Sequence, residues 1–210
     1  MDANKHQRFE LLAILISGIL KFIVMDYMEI RAFYIVGICI FWVSYIYYRY
    51  SSDNAILNYW GFKREYFRQS IVILLPLIIV SIIVTLVYGV YNDTIILSWH
   101  ILPVLCLYPV WGIFQQYLML ALITHNISSL MNINVTKTVI VLLTSTIFCL
   151  VHYPNFFLMI FTFFMEAIFI IVYMKWKNLW ALGIAHGWIA TFLLYYVLGR
   201  DLWAELLILY

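Results

Sequence analysis

The stretch Phe156-Phe-Leu-Met-Ile-Phe-Thr-Phe-Phe-Met-Glu-Ala-Ile-Phe-Ile-Ile-Val-Tyr-Met174 identifies the class of fold that this chain adopts. Glu166 is its only charged side chain, and nearly all of the others are apolar. A helix needs about 20 mainly apolar residues to cross the hydrocarbon core of a bilayer. The stretch therefore predicts a membrane-spanning helix with a carboxyl group near its middle.

Composition extends this prediction to the whole chain. Of 210 residues, 66% are hydrophobic and 10% are charged, and the mean hydropathy is +0.99. An average soluble domain is about 45–50% apolar and about 25% charged. We therefore predict an all-α fold, a polytopic membrane helical bundle of about seven or eight transmembrane helices forming a single integral membrane domain, residues 1–210. The net charge of +2 is too small to indicate a nucleic-acid partner, and the expected partner is the lipid bilayer.

Seven apolar runs are the predicted spans. The first two lie within residues 1–50, and the other five lie within a core at residues 70–198. Pro103 and Pro109 predict an interruption before the fourth run, with an interfacial piece ahead of it. Residues 199–210 are too short for a span and are expected to form a C-terminal half-helix. The seven runs are 11–25, 32–48, 71–90, 107–124, 138–152, 156–174 and 179–198.

The basic residues predict the orientation of the chain. With a cytoplasmic N-terminus, nine Lys and Arg side chains lie on the cytoplasmic side and only Arg31 and Arg200 lie outside. Residues 51–69 interleave aromatic and basic side chains, which is typical of an amphipathic segment in the membrane interface. High usage of Ile, Tyr and Asn favours a bacterial source, so we expect the bacterial cytoplasmic membrane.

Five polar side chains stand out within four successive apolar segments. Ionisable groups at membrane depth are unfavourable, so each is a candidate for a functional site. Taken singly, each has a simpler explanation, such as a protonated carboxyl group, an interfacial histidine or a carboxamide that joins helices. Their joint occurrence favours one polar site. They are Gln115, Gln116, His152, Glu166 and His186.

This set of side chains suits two kinds of chemistry. Two neutral imidazoles and a carboxylate, here His152, His186 and Glu166, could hold a divalent metal such as zinc with an open coordination position. The same groups also suit hydrolysis without a metal, in which the carboxylate deprotonates water and the imidazoles and carboxamides assist. The sequence leaves the choice of cofactor open. Ser145 is not a persuasive nucleophile, since serine is an ordinary helix-packing residue in membranes.

The order of these motifs resembles the CPBP family, the CAAX-protease and bacteriocin-processing intramembrane proteases. That family has Glu-Glu-x-x-x-Arg on one helix, Phe-x-x-x-His on the next, and a further His after a Leu-Trp-like lead-in. Here Phe148 to His152 matches the second motif, and Leu179-Trp180 to His186 matches the third.

The first motif departs from the family pattern. Gln115 and Gln116 stand at the positions of the two glutamates, and Leu120 stands at the position of the arginine. Ala190 stands where an asparagine is usual. The chain resembles a glutamine-variant branch of the family. This resemblance implies that Glu166 supplies the missing carboxylate as a general base or metal ligand.

Two functions follow from the resemblance. The first is an intramembrane endopeptidase that hydrolyses a peptide bond near the membrane, with a lipidated or hydrophobic peptide as substrate. In it, His152 and His186 assist water or bind metal, and Gln115 and Gln116 orient water or donate to the oxyanion. The alternative is a non-catalytic protein of the same fold, a pseudoenzyme that acts in bacteriocin immunity or partner binding.

Overall fold

The structure is a computed structural model that describes residues 3–130 and 136–208. All regular secondary structure within these residues is helical, which confirms the all-α class. Three helices continue as π-helix, at Lys21–Tyr27, Tyr117–Thr124 and Leu193–Val197. The α-helices are α1 (Ala3–Leu20), α2 (Arg31–Ser52), α3 (Ile56–Trp60), α4 (Phe67–Tyr91), α5 (Ile101–Gln116), α6 (His125–Leu130), α7 (Lys137–Leu150), α8 (Phe156–Trp176), α9 (Leu179–Phe192) and α10 (Leu202–Ile208).

The helices agree with the predicted membrane architecture. Among the described residues, five helical stretches are long and apolar enough to cross a bilayer. Two further predicted spans correspond to α7, which is shorter, and to α1 with its π-helical continuation, which carries several charged residues. The chain is therefore an integral membrane protein of several spans. The five stretches are Arg31–Ser52, Phe67–Tyr91, Ile101–Ser129, Phe156–Trp176 and Leu179–Val197.

The predicted interruption before the fourth span is wrong. Helix α5 begins at Ile101 and includes both Pro103 and Pro109. Pro103 lies in the first turn, where a backbone N–H has no partner within the helix, so proline removes nothing there. Between the predicted spans 107–124 and 138–152, where the polar sequence favours a loop, α6 occupies His125–Leu130. Residues 131–135 lie outside the described residues.

The chain forms two compact units. The first consists of Met1–Phe62 and Leu118–Ile171. A buried polar network holds it together around Glu10, which is 2% exposed. One Glu10 oxygen accepts hydrogen bonds from Tyr45 Oη (2.6 Å) and Arg49 Nη1 (2.5 Å), and the other accepts one from Asn126 Nδ2 (2.6 Å). These contacts join α1, α2 and α6, and Glu10 lies one residue before the first predicted span, 11–25.

The second unit consists of Lys63–Tyr117 and Val172–Tyr210. Helix α9 lies against α5 and α4, and eight of its eleven residues from Leu179 to Ile189 are buried. At the far end of the unit, Asp201 accepts hydrogen bonds from His100 Nδ1 (2.7 Å) and Tyr195 Oη (2.8 Å). Burial acts to raise the pKa of Asp201, but its bonds from Ala204 N–H, His100 and Tyr195 hold that pKa below its ordinary value.

Candidate active site

Three glycines bring α5 and α9 into backbone contact in the second unit. A Cβ atom on Gly112 would lie 2.3 Å from the carbonyl oxygen of Gly183 and 2.7 Å from the nitrogen of Gly187. A Cβ on Gly187 would lie 2.4 Å from Cα of Pro109. Gly183 and Gly187 are spaced as in the GxxxG pattern, which allows close approach of membrane helices. Any larger residue at these positions would separate the two helices.

This close approach places Gln116 beside His186. Both side chains are buried, at 0% and 3% exposure. The amide nitrogen Nε2 of Gln116 lies 3.1 Å from Nδ1 of His186. An amide nitrogen can only donate, so Nδ1 accepts and the proton of the neutral ring is on Nε2. Gln116 thereby makes His186 a hydrogen-bond donor through Nε2.

The other positions of the first motif differ in their surroundings. Gln115 is only partly buried. Leu120, at the position of the family's arginine, is completely buried in the π-helical continuation of α5. An apolar residue suits that environment, whereas a guanidinium there would need a buried partner. The structure therefore assigns the imidazole contact in this motif to Gln116.

His152 belongs to the first unit and has the opposite tautomer. It lies in a turn just after α7, where its Nδ1 donates to the carbonyl oxygen of Phe148 at 2.8 Å. The ring centroids of His152 and Phe148 are 4.9 Å apart, and the two rings are nearly edge to face. Since a carbonyl oxygen only accepts, the neutral ring carries its proton on Nδ1 and keeps a lone pair on Nε2. His152 can therefore accept a proton or orient water through Nε2.

Glu166 also belongs to the first unit. It is the eleventh of the 21 residues of α8 and is completely buried. At about 1.5 Å per residue, its Cα lies roughly 15 Å from either end of the helix, which agrees with the predicted position near the middle of the span. A carboxyl group at this depth is a functional candidate by default.

Two hydroxyl groups on α7 were not among the predicted site residues, since Thr144 gave no signal and Ser145 was interpreted as a helix-packing residue. Thr144 Oγ1 and Ser145 Oγ are fully buried and have no hydrogen-bond partner among the described residues. Thr146 and Thr162, in contrast, bond to carbonyl groups of their own helices at 2.8 and 2.6 Å. Hydroxyl groups in helices commonly make such bonds, so these two are oriented away from their own backbone. They can bind water or a substrate carbonyl one or two turns before His152.

The predicted metal ligands are His152, His186 and Glu166. No three His, Cys, Asp or Glu side chains within residues 3–130 and 136–208 form a group that could hold a metal ion. In addition, the hydrogen bond from Gln116 occupies Nδ1 of His186 and leaves a proton on Nε2. The metal set of His152, His186 and Glu166 stays a prediction, and we assign no chemical step to a metal.

The two histidines are expected to show opposite tautomers in nuclear magnetic resonance of protein labelled with ¹⁵N-histidine. His186 should carry its proton on Nε2, and His152 should carry it on Nδ1. Gln116→Glu should invert His186 alone, because a carboxylate accepts from Nδ1–H. A proton on Nδ1 of His186 in the unaltered protein would contradict the assigned contact.

The fold and these side chains define a polytopic membrane protein with a buried carboxamide–imidazole pair and a mid-membrane carboxyl group. Residues 97–192, a little under half of the chain, match the family model described as type II CAAX prenyl endopeptidase Rce1-like. This segment is therefore similar to CAAX-protease-type intramembrane proteases, and the match supports the resemblance to the CPBP family that the motifs indicated. No curated protein and no solved structure matches the chain significantly.

Of the five predicted site residues, the structure brings Gln116 and His186 into direct contact. The catalytic role of each residue, and the geometry that would join Glu166 to either histidine, stay predictions. The backbone contact between α5 and α9 had a signal in the sequence, namely the four-residue spacing of Gly183 and Gly187. The orientation of Thr144 and Ser145 had none, because serine and threonine are common in membrane helices.

Proposed function

We propose that this protein is an intramembrane endopeptidase of the bacterial cytoplasmic membrane, with its N-terminus in the cytoplasm. Its substrate is a lipidated or hydrophobic peptide cleaved near the membrane surface. The observation that carries the proposal is the buried hydrogen bond from Gln116 to His186. The bond fixes one imidazole as a donor through Nε2, which is the state that can stabilise an oxyanion, in addition to joining α5 and α9.

The surroundings of each side chain suggest its role. Glu166 is the general base that takes a proton from water as the water oxygen adds to the peptide carbonyl carbon. His152, with a lone pair on Nε2, orients that water. His186, with its proton on Nε2, donates a hydrogen bond to the oxyanion. Gln115 orients the water or donates a second hydrogen bond to the oxyanion. When the C–N bond breaks, the proton held by Glu166 passes to the leaving amine.

Cleavage by the reconstituted protein tests this proposal. We expect His152→Ala to lower the cleavage of a hydrophobic peptide by about 10²- to 10⁴-fold, the usual contribution of proton-transfer groups. His100→Ala is the matched control, because His100 bonds to Asp201 and has no proposed part in the reaction. Release of the new amino terminus, measured by mass spectrometry, reports the rate. Equal rates for both variants would refute the role of His152.

A second candidate function is a non-catalytic immunity or interaction protein. The observation that favours it is the identity of residue 116, because a carboxamide beside His186 cannot accept a proton from water. In that case the purified protein cleaves nothing, and alanine at His152 or His186 leaves protection or partner binding intact. Protection assays on these two variants therefore separate the two functions.

A further inference from the structure

A groove in the second unit combines basic and apolar side chains. It has a volume of about 490 Å³ and opens between the segment that precedes α4 and the first turns of α9. Its lining residues are Lys63, Arg64, Phe67, Trp180 and Ile184. None of them has a part in the proposed reaction. Two cations beside aromatic and aliphatic side chains suit a ligand with an anionic head and an apolar body.

The groove is held in shape by a buried side chain. Asn178 is 0% exposed, and its Nδ2 donates to the carbonyl oxygens of Lys63 (2.7 Å) and Glu65 (2.8 Å). Its Oδ1 accepts from the N–H of Ala181 at 2.9 Å and so caps α9. One residue thus fixes both the basic segment and the helix that carries Trp180. Because the backbone at Lys63 and Glu65 is held by these hydrogen bonds, the positions of the Lys63 and Arg64 side chains are restricted from their attachment points onward.

A third cation adds to the positive potential of this region. Burial and the charge of Lys63 lower the pKa of Lys177, which directly precedes Asn178. A bound anion would relieve the repulsion between these ammonium groups. The membrane helices α4 and α9 both begin here, at Phe67 and Leu179, so the groove lies where the chain enters the bilayer. The positive-inside bias of the sequence assigns the starts of α4 and α9, and the groove between them, to the cytoplasmic leaflet, which holds anionic lipids.

We infer that the groove is a binding site for one anionic phospholipid. The phosphate of the headgroup binds between Lys63 and Arg64, and the beginning of an acyl chain lies against Phe67, Trp180 and Ile184. A soluble peptide or nucleic acid would gain little from these apolar side chains at the entrance of the bilayer. This site is independent of the proposed cleavage reaction.

Native mass spectrometry of the full chain in detergent tests the inference. The protein is titrated with phosphatidylglycerol or with phosphatidylcholine of the same acyl chains. One phosphatidylglycerol should be retained in preference to phosphatidylcholine. Lys63→Ala/Arg64→Ala should lower its retention by roughly 30-fold, since each basic residue contributes about fivefold to binding at an anionic surface. Arg68→Ala is the matched control, because Arg68 is exposed nearby and does not line the groove.

The other outcomes overturn the inference. The first is equal retention of both lipids by the unaltered chain. The second is equal retention of phosphatidylglycerol by the double variant and by Arg68→Ala. The third is full displacement of the lipid by equimolar glycerol phosphate, which would make the headgroup alone the ligand. The double variant keeps the backbone carbonyls that Asn178 binds, so it should fold. Arg64→Ala alone, at an exposed side chain, gives a second and smaller change in the same direction.

Discussion

Glu166→Gln is expected to abolish peptide cleavage while the helical bundle stays folded. Glutamine has nearly the shape of glutamate, so it can replace a completely buried side chain without opening a cavity. It cannot take a proton from water, because a carboxamide is not a base at neutral pH. Loss of a general base usually lowers a rate by about 10²- to 10⁴-fold. Cleavage of a hydrophobic peptide in liposomes, normalised to folded protein, measures the effect.

Glu205→Gln is the matched control for this substitution. Glu205 pairs with Arg200, and both side chains are 41% exposed. An exposed ion pair contributes about 0–1 kcal/mol to the free energy of unfolding, so this variant should keep both its stability and its rate. If Glu166→Gln cleaves as fast as Glu205→Gln, the proposed base is wrong. If neither the variants nor the unaltered protein cleaves, the immunity function is favoured.

Much of the fold could be predicted because span length and hydropathy are strong signals in membranes. Those signals failed where tertiary contacts decide the structure. Helix α6 has a polar sequence that predicts a loop, but its Asn126 is buried and bonds to Glu10. Pro109 predicts a break, yet it lies within α5 with its backbone against Gly187. Membrane helices tolerate proline where neighbouring groups compensate for the lost hydrogen bond.

The sequence singled out the residues of the candidate site but could not supply their geometry. Gln116, His152, Glu166 and His186 stood out because polar groups are rare at membrane depth. Which ring nitrogen carries the proton depends on partners that only coordinates supply, such as the carbonyl oxygen of Phe148. For the same reason, the sequence could not separate the adjacent Gln115 and Gln116, of which only the second bonds to His186.

Gly187→Ala is expected to disrupt the contact between α5 and α9. The new methyl group would lie 2.4 Å from Cα and 2.5 Å from N of Pro109. These are backbone atoms, so no change of rotamer can relieve the overlap, and the helices must move apart. Overpacking of this kind typically lowers the free energy of unfolding by about 1–3 kcal/mol. Thermal unfolding in detergent should show the loss of stability.

Separation of the helices should also break the hydrogen bond from Gln116 to His186, which is already 3.1 Å long. The Nε2–H tautomer of His186 would then no longer be fixed, and its ¹⁵N shifts should move towards those of a mixture. Gly37→Ala is the matched control, because nothing lies within 4 Å of the added Cβ atom. In the interior of α2, this change should stabilise the protein by about 0.5–1 kcal/mol. Equal stability of the two variants, with unchanged His186 shifts, would show that the glycine contact does not position the site.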